Sequence, residues 1–266
     1  MVMAPLSTCS AEAAARFLTE RWRTSIDAVI VTGSGFNADS IGEELDVPIS
    51  YHLVPGMPHG NVDGHAHVFR LVRLNGQSIL LCSGRFHLYE GLSVDACGIF
   101  MHIASLMRVR RAVLMNAVGG LNPSYSVGDI VLVDDVIDLT FSSLPETAHR
   151  QRIQRQTSRW STEMMIRCLD RGVNLRRGVL AQMLGPTYET RAEVHMLRSI
   201  GADVVGMSTA IEVRQAWQFG IETMILSLVT NTLSDTVLPK LDHHDVVTAS
   251  RSAGTSLQKA LHAAFA

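Results

Sequence analysis

The sequence predicts an α/β fold, one domain over residues 1–266 built on a mixed, mainly parallel sheet flanked by helices. Three observations predict it. Continuous apolar runs of strand length recur along the chain, segments of helical period lie between several of them, and the composition, 47% hydrophobic and 18% charged, is that of a folded globular protein. A chain of 266 residues can bury one large core and is short for two independent ones.

The strands come first. Apolar runs bounded by Gly and polar residues lie at 27–32, 78–82, 112–116, 129–136, 178–183, 203–206 and 223–230. They do not alternate with polar residues, so both faces of each strand are expected to be covered, as in a sheet between helical layers. Helix-period segments lie at 12–22, 92–107, 161–171, 192–200, 210–219 and 243–264. The βα alternation argues for parallel neighbours. Ser40 with Glu43, Thr190 with Glu193 and Thr209 with Glu212 have the capping-box spacing and are expected to start helices. Residues 142–160, polar and rich in Arg and Gln, follow neither period and read as an exposed connection or a partly helical excursion.

Charge and targeting signals narrow the function. The formal net charge is −2, with 23 Lys and Arg against 25 Asp and Glu, so no basic field invites nucleic acid and a small ligand fits better. The N-terminal MVMAPLSTCSAEAAARF lacks a basic region followed by an apolar one, and no run is long enough to cross a bilayer. A cytoplasmic protein without a membrane partner is expected. Cys9, Cys82, Cys97 and Cys168 have no CxxC spacing and read as reduced thiols, mostly buried.

In an α/β sheet, ligands sit at the carboxyl ends of strands, where helix N-termini offer N–H groups to anions. Five turns there could carry chemistry. VTGSG, residues 31–35, turns tightly and offers the Ser34 hydroxyl to an oxyanion; it is neither a Walker loop nor a full GxGxxG. GRFHLYEG, residues 84–91, packs Arg85, His87 and Tyr89 between glycines: a guanidinium can fork two phosphate oxygens, an imidazole can donate to a third, and a phenol can reach a sugar hydroxyl. GPTYET, residues 185–190, places Glu189 just before the expected cap Thr190, where a carboxylate feels the helix dipole and stays an acceptor. VGMST, residues 205–209, is another strand-to-helix turn, and Asn231 ends the most apolar strand with an amide that donates and accepts at once.

The histidines in HGNVDGHAH, residues 59–67, permit a metal reading, because His65 and His67 would share one face of a strand, but glycines loosen the geometry and no HExxH follows. His243, His244 and Asp245 are consecutive and diverge on a helix, so one of them at most makes a polar contact. No metal is expected.

Taken together and in order, GSG, GHA, GRFHLYEG, NAVGGLNP, VGDIV, GPTYET, GADVVGMST and TN resemble the trimeric purine nucleoside phosphorylases, over about residues 27–247. The resemblance implies a phosphorylase/hydrolase-like α/β fold and phosphate-dependent cleavage of inosine or guanosine to base and (deoxy)ribose 1-phosphate. Its phosphate site would comprise Ser34, His65, Arg85, His87, Ala117 and Ser208; its ribose site Tyr89, Met207 and His243; its base site Tyr188, Glu189 and Asn231. His87, Glu189 and Asn231 would carry the chemistry, with phosphate as a substrate, no cofactor and a homotrimer as the assembly. The chain departs from the family pattern at GSGFN for GSGLG, GHAH for GHAG and NAVGG for NAAGG, each adding bulk by the expected phosphate loop, and residues 141–160 replace a longer segment that reaches a neighbouring subunit. Two other classes stay open: a metal-dependent nucleosidase using the histidine cluster, and a purine-binding homologue with little turnover.

Overall fold

The computed structural model describes residues 10–33, 36, 41–60, 66–141, 158–234, 248 and 253–266. Its strands are β1 (Ala28–Thr32), β2 (Glu43–Glu44), β3 (Ile49–Ser50), β4 (Val68–Leu74), β5 (Gln77–Ser83), β6 (Arg111–Gly120), β7 (Ile130–Asp138), β8 (Leu175–Gln182), β9 (Val204–Gly206) and β10 (Glu222–Thr232). The helices are α1 (Ala11–Trp22), α2 (Val94–Cys97), α3 (Ile99–Leu106), α4 (Arg159–Asp170), α5 (Arg191–Ser199), α6 (Ala210–Gln218) and α7 (Gly254–Ala264).

The sheet is mixed, in the order β10-β7-β8-β9-β6-β1-β5-β4-β2, with β3 also on β4. Strands β5, β1, β6 and β10 run parallel to their neighbours in that set; β7, β8 and β9 are parallel to one another and meet the first set antiparallel, at β10–β7 and β6–β9. Because β10 also pairs with β6, the strands β6, β9, β8, β7 and β10 close a five-stranded circuit. The sheet is therefore partly closed, not an open sheet throughout. β6 and β10 belong to both parts, and their C-terminal halves form one wall of the site.

The uninterrupted apolar runs reflect a sheet buried on both faces. Along β1, Val29 and Val31 pack with helices α1, α3 and α6, whereas Ala28 and Ile30 pack with α4 and α7; Leu80 and Cys82 against Ile79 and Leu81 repeat the split on β5, and Ala112 and Leu114 against Val113 and Met115 on β6. A third cluster joins Val194 and Leu197 of α5 to Ala181 and Val205. Cys82, Cys97 and Cys168 are free and buried. Among the described residues no helix is long and apolar enough to cross a membrane.

Several expected boundaries move for physical reasons. The helix expected over 92–107 breaks at Gly98, where a Cβ would lie 2.3 Å from the Gln215 side chain of α6, so the two helices approach through that glycine. Glu43 starts no helix: it lies in β2, opposite Arg73 of β4, and its expected cap Ser40 is outside the described residues. Of the helix expected over 243–264, α7 covers Gly254–Ala264; residues 243–247 and 249–252 lie outside the described residues. The Thr190–Glu193 capping box forms, with Glu193 N donating to Thr190 Oγ1 at 3.3 Å and Thr190 N to Glu193 Oε2 at 2.7 Å. The Thr209–Glu212 box does not form: Thr209 sits at φ 93 without a side-chain cap, and Ala210 N donates instead to Gln182 Oε1 at 2.6 Å.

Candidate active site

The turns singled out by sequence converge on one cleft. It is lined by Gly33 after β1; Arg85, His87 and Tyr89 after β5; Asn116–Gly119 of β6; Tyr188 and Glu189 before α5; Val205 and Gly206 of β9 with Met207 and Ser208 after it; and Thr230 and Asn231 of β10. Ser34, His65 and His243 lie outside the described residues. So does Asp63 of the histidine cluster, whereas His59 and His67 are described; among the described residues no three His, Cys, Asp or Glu side chains are grouped to hold a metal.

Strand β6 runs through the cleft and orders it. At its Asn116 end, a Cβ on Gly33 would lie 3.5 Å from Arg85 Nη1 and 3.7 Å from Asn116 Cα, and Arg85 Nη1 donates to Met115 O at 2.7 Å and to Ser208 Oγ at 3.3 Å. At its Gly119 end, a Cβ would lie 3.3 Å from Asn231 Nδ2. Three residues of strand separate these points, about 10 Å at roughly 3.3 Å per residue. β9 runs back alongside β6, with Val205 opposite Gly119, so Met207 and Ser208 return towards the Arg85 end.

Arg85 is 1% exposed, and the face it offers differs from the expected fork. Its Nε lies 3.3 Å from Glu212 Oε1 and its Nη2 3.1 Å from Glu212 Oε2, so one two-nitrogen edge of the guanidinium is turned to Glu212. Burial pushes the Glu212 carboxyl up and Arg85 pulls it back. The side of the guanidinium next to Ser208 is the one that lies towards the cleft. Sequence reasoning missed Glu212 because its spacing from Thr209 matched a cap; it missed Asn116 although a polar residue inside an apolar strand was a signal. Asn116 is 1% exposed, its Oδ1 accepts from Ser227 Oγ at 2.7 Å, and its Nδ2 has no hydrogen-bond partner among the described residues.

His87 is fixed by Glu90, whose Oε1 accepts from the His87 backbone N at 2.7 Å and lies 3.2 Å from His87 Nδ1. Burial pushes the imidazole below its ordinary range while Glu90 pulls it up, so near pH 7 the ring is neutral. With an ionised carboxylate facing Nδ1, the single ring proton belongs on Nδ1, and Nε2 is then an acceptor rather than the expected donor. Tyr89 stacks on His87 with ring centres 4.7 Å apart, and burial raises its phenol to about 12, so it keeps its proton as a donor.

Gly185 lets the GPTYET turn close on this group. Its φ is 74, and a Cβ would meet Met207 Sδ at 2.6 Å and Tyr89 Cδ1 at 2.9 Å. Tyr188 stands at the rim, 40% exposed, while Glu189 is buried and burial raises its carboxyl. Opposite, the pairing of β10 with β6 slips between Val229 and Asn231. Such a bulge re-aims side chains. Here it brings both Thr230 and Asn231 to the cleft although they are adjacent in a strand. Thr230 Oγ1 lies 3.3 Å from Asn231 Oδ1, and Asn231 Nδ2 is buried with no hydrogen-bond partner among the described residues. The amide is thus held with its donors uncommitted.

Comparison with known proteins gives a concordant result. Residues 27–266 match the family model of the phosphorylase superfamily. Purine nucleoside phosphorylase 1 of Geobacillus stearothermophilus is 31% identical over 254 residues, covering 89% of this chain and 89% of that protein. A Schistosoma purine nucleoside phosphorylase solved with hypoxanthine superposes with a TM-score of 0.85 at 28% identity, covering 96% of this chain and 95% of that one. The Schistosoma mansoni enzyme solved with adenosine gives 0.84 at 27% identity over the same shares.

Proposed function

From the premise that this chain belongs to the phosphorylase superfamily, we propose that it is a purine nucleoside phosphorylase acting on 6-oxopurine nucleosides such as inosine and guanosine. The observation that carries this reading is the order of groups along one cleft. Arg85, Ser208 and the Ala117 backbone mark an anion end; Tyr89 and Met207 follow; Glu189 and Asn231 form the far end. Phosphate, sugar and base of a nucleoside undergoing phosphorolysis need that sequence of partners.

The chemistry is positioning and charge stabilisation. Arg85 and Ser208 would hold phosphate beneath the anomeric carbon, with Ser34 and His65 as further contacts implied by resemblance. A neutral His87 would accept the proton of a protonated phosphate oxygen. As the glycosidic bond breaks, the sugar becomes an oxocarbenium ion beside that anion, and the electron pair goes to the purine. Ionised Glu189 would accept from N1–H, and the Asn231 amide would donate to O6 or N7, where negative charge collects. Phosphate oxygen then bonds the anomeric carbon. Tyr89, Met207 and His243 would face the ribose, and Tyr188 would cover the base. Phosphate is the second substrate, and no step calls for a cofactor.

Inosine incubated with and without phosphate tests the reading. Hypoxanthine and ribose 1-phosphate should appear only with phosphate; ribose released without phosphate would indicate a nucleosidase, and tight hypoxanthine binding with no turnover would indicate a binding protein. We further propose one domain over residues 1–266, assembled as a cytoplasmic homotrimer. Sedimentation decides the assembly, and an active monomer would overturn it.

A further inference from the structure

We infer that Glu212 is a positioning residue for phosphate: its two-point contact with the Arg85 guanidinium fixes which edge of that cation faces the cleft. The inference rests on the phosphorolysis reading. Glu212 lies in the first turn of α6, 2% exposed, with Oε1 3.3 Å from Arg85 Nε and Oε2 3.1 Å from Nη2. A carboxylate in that position ordinarily closes a capping box on the N–H of its N-cap residue, but here Thr209 takes no side-chain cap and the Glu212 carboxylate is turned to Arg85. Burying an ion pair costs desolvation that apolar packing would avoid, so it is weak evidence of a device for stability alone. A planar guanidinium gripped along one edge cannot rotate about its long side chain, and the contacts from Nη1 to Met115 O and Ser208 Oγ complete its orientation.

Glu212 also sets the charge of the anion end. It neutralises Arg85 in the empty site, so an incoming phosphate is received by aimed N–H and O–H groups rather than by an unbalanced positive field. Replacing the carboxylate by an amide has two opposed effects: it leaves Arg85 with unbalanced charge, and it points an NH2 group at a guanidinium nitrogen. At contacts of 3.1 and 3.3 Å the donor–donor conflict displaces the guanidinium, so phosphate binding weakens despite the added charge.

The test measures the KM for phosphate at saturating inosine and the Kd for hypoxanthine by calorimetry. Glu212→Gln should raise the phosphate KM about tenfold or more, the scale of one charge-assisted contact, with hypoxanthine Kd within about twofold as evidence of a folded purine site. Glu212→Asp keeps the charge but, one methylene shorter, does not reach the guanidinium edge, and should show the same split. In an Arg85→Ala background, adding Glu212→Gln should change the phosphate KM no further, because the effect passes through Arg85. Unchanged phosphate KM in both single variants, a parallel loss of phosphate and hypoxanthine affinity, or additivity with Arg85→Ala would each overturn the positioning role. Wild-type turnover independent of phosphate would instead sink the phosphorolysis reading.

Discussion

The preference for 6-oxopurines over adenosine can be worked from two side chains. Glu189 and Asn231 are each 9% exposed and line the cleft, with Asn231 Nδ2 buried without a hydrogen-bond partner among the described residues and Thr230 Oγ1 3.3 Å from both Asn231 Oδ1 and Val118 O. Inosine offers N1–H to the carboxylate and O6 to the amide. Adenosine sets a bare N1 lone pair against the carboxylate and an exocyclic amine against Nδ2, leaving two buried mismatches. Each costs about 1–3 kcal/mol, more for the charged group. Together they amount to about 2–6 kcal/mol, a ratio of roughly 30 to 2 × 10⁴ in kcat/KM. The assay compares kcat/KM for inosine and adenosine in wild type, Glu189→Ala, Asn231→Asp and Thr230→Val. Glu189→Ala should cripple inosine turnover. Asn231→Asp should narrow the ratio, since a carboxylate accepts from the adenine amine. Thr230→Val should narrow it more modestly, by freeing the Asn231 amide to turn. Equal wild-type efficiencies, or a ratio that none of the substitutions moves, would refute the assignment.

Other outcomes follow from the same geometry. Arg85→Ala should lower kcat/KM for phosphate on the order of 10²–10³, and, by leaving Glu212 buried without its cation, cost about 3–5 kcal/mol of stability; unchanged phosphate kinetics would remove Arg85 from the site. Burial raises the Glu189 carboxyl, and its ionised form is the one that accepts N1–H, so kcat/KM for inosine should hold at high pH and fall as pH drops through a value above the ordinary ~4.3 of Glu. A pH–rate profile reads this acid limb, from which Glu189→Gln should remove the Glu189 contribution and leave that of His87. Gly185→Ala places a methyl 2.6 Å from Met207 Sδ in a residue at φ 74. It should raise the KM for inosine about tenfold, leave that for phosphate unchanged, and cost roughly 1–2 kcal/mol of backbone strain, visible in a melting curve. An unaltered inosine KM would show that Met207 and Tyr89 do not contact the sugar.

The sequence by itself determined the layered α/β architecture and the turns that form the site. Runs such as those ending at Thr32, Cys82 and Asn116 are apolar on both faces because helices cover both faces, and that burial is written directly into local composition. Strand β4 was hidden because Arg70 and Arg73 interrupt its pattern, although Asn75 and Gly76, both at positive φ, mark the turn into β5. What only the tertiary structure decided depends on distant pairings. Closure of β10 onto β6, the bulge that turns Thr230 and Asn231 to one side, and the 127-residue separation bridged by Arg85 and Glu212 have no local signature. The Thr209–Glu212 spacing even suggested the wrong partner. A capping carboxylate and an ion-pair carboxylate look alike along the chain, and the choice between them is made by whichever buried group, here Arg85, would otherwise be left with an uncompensated charge.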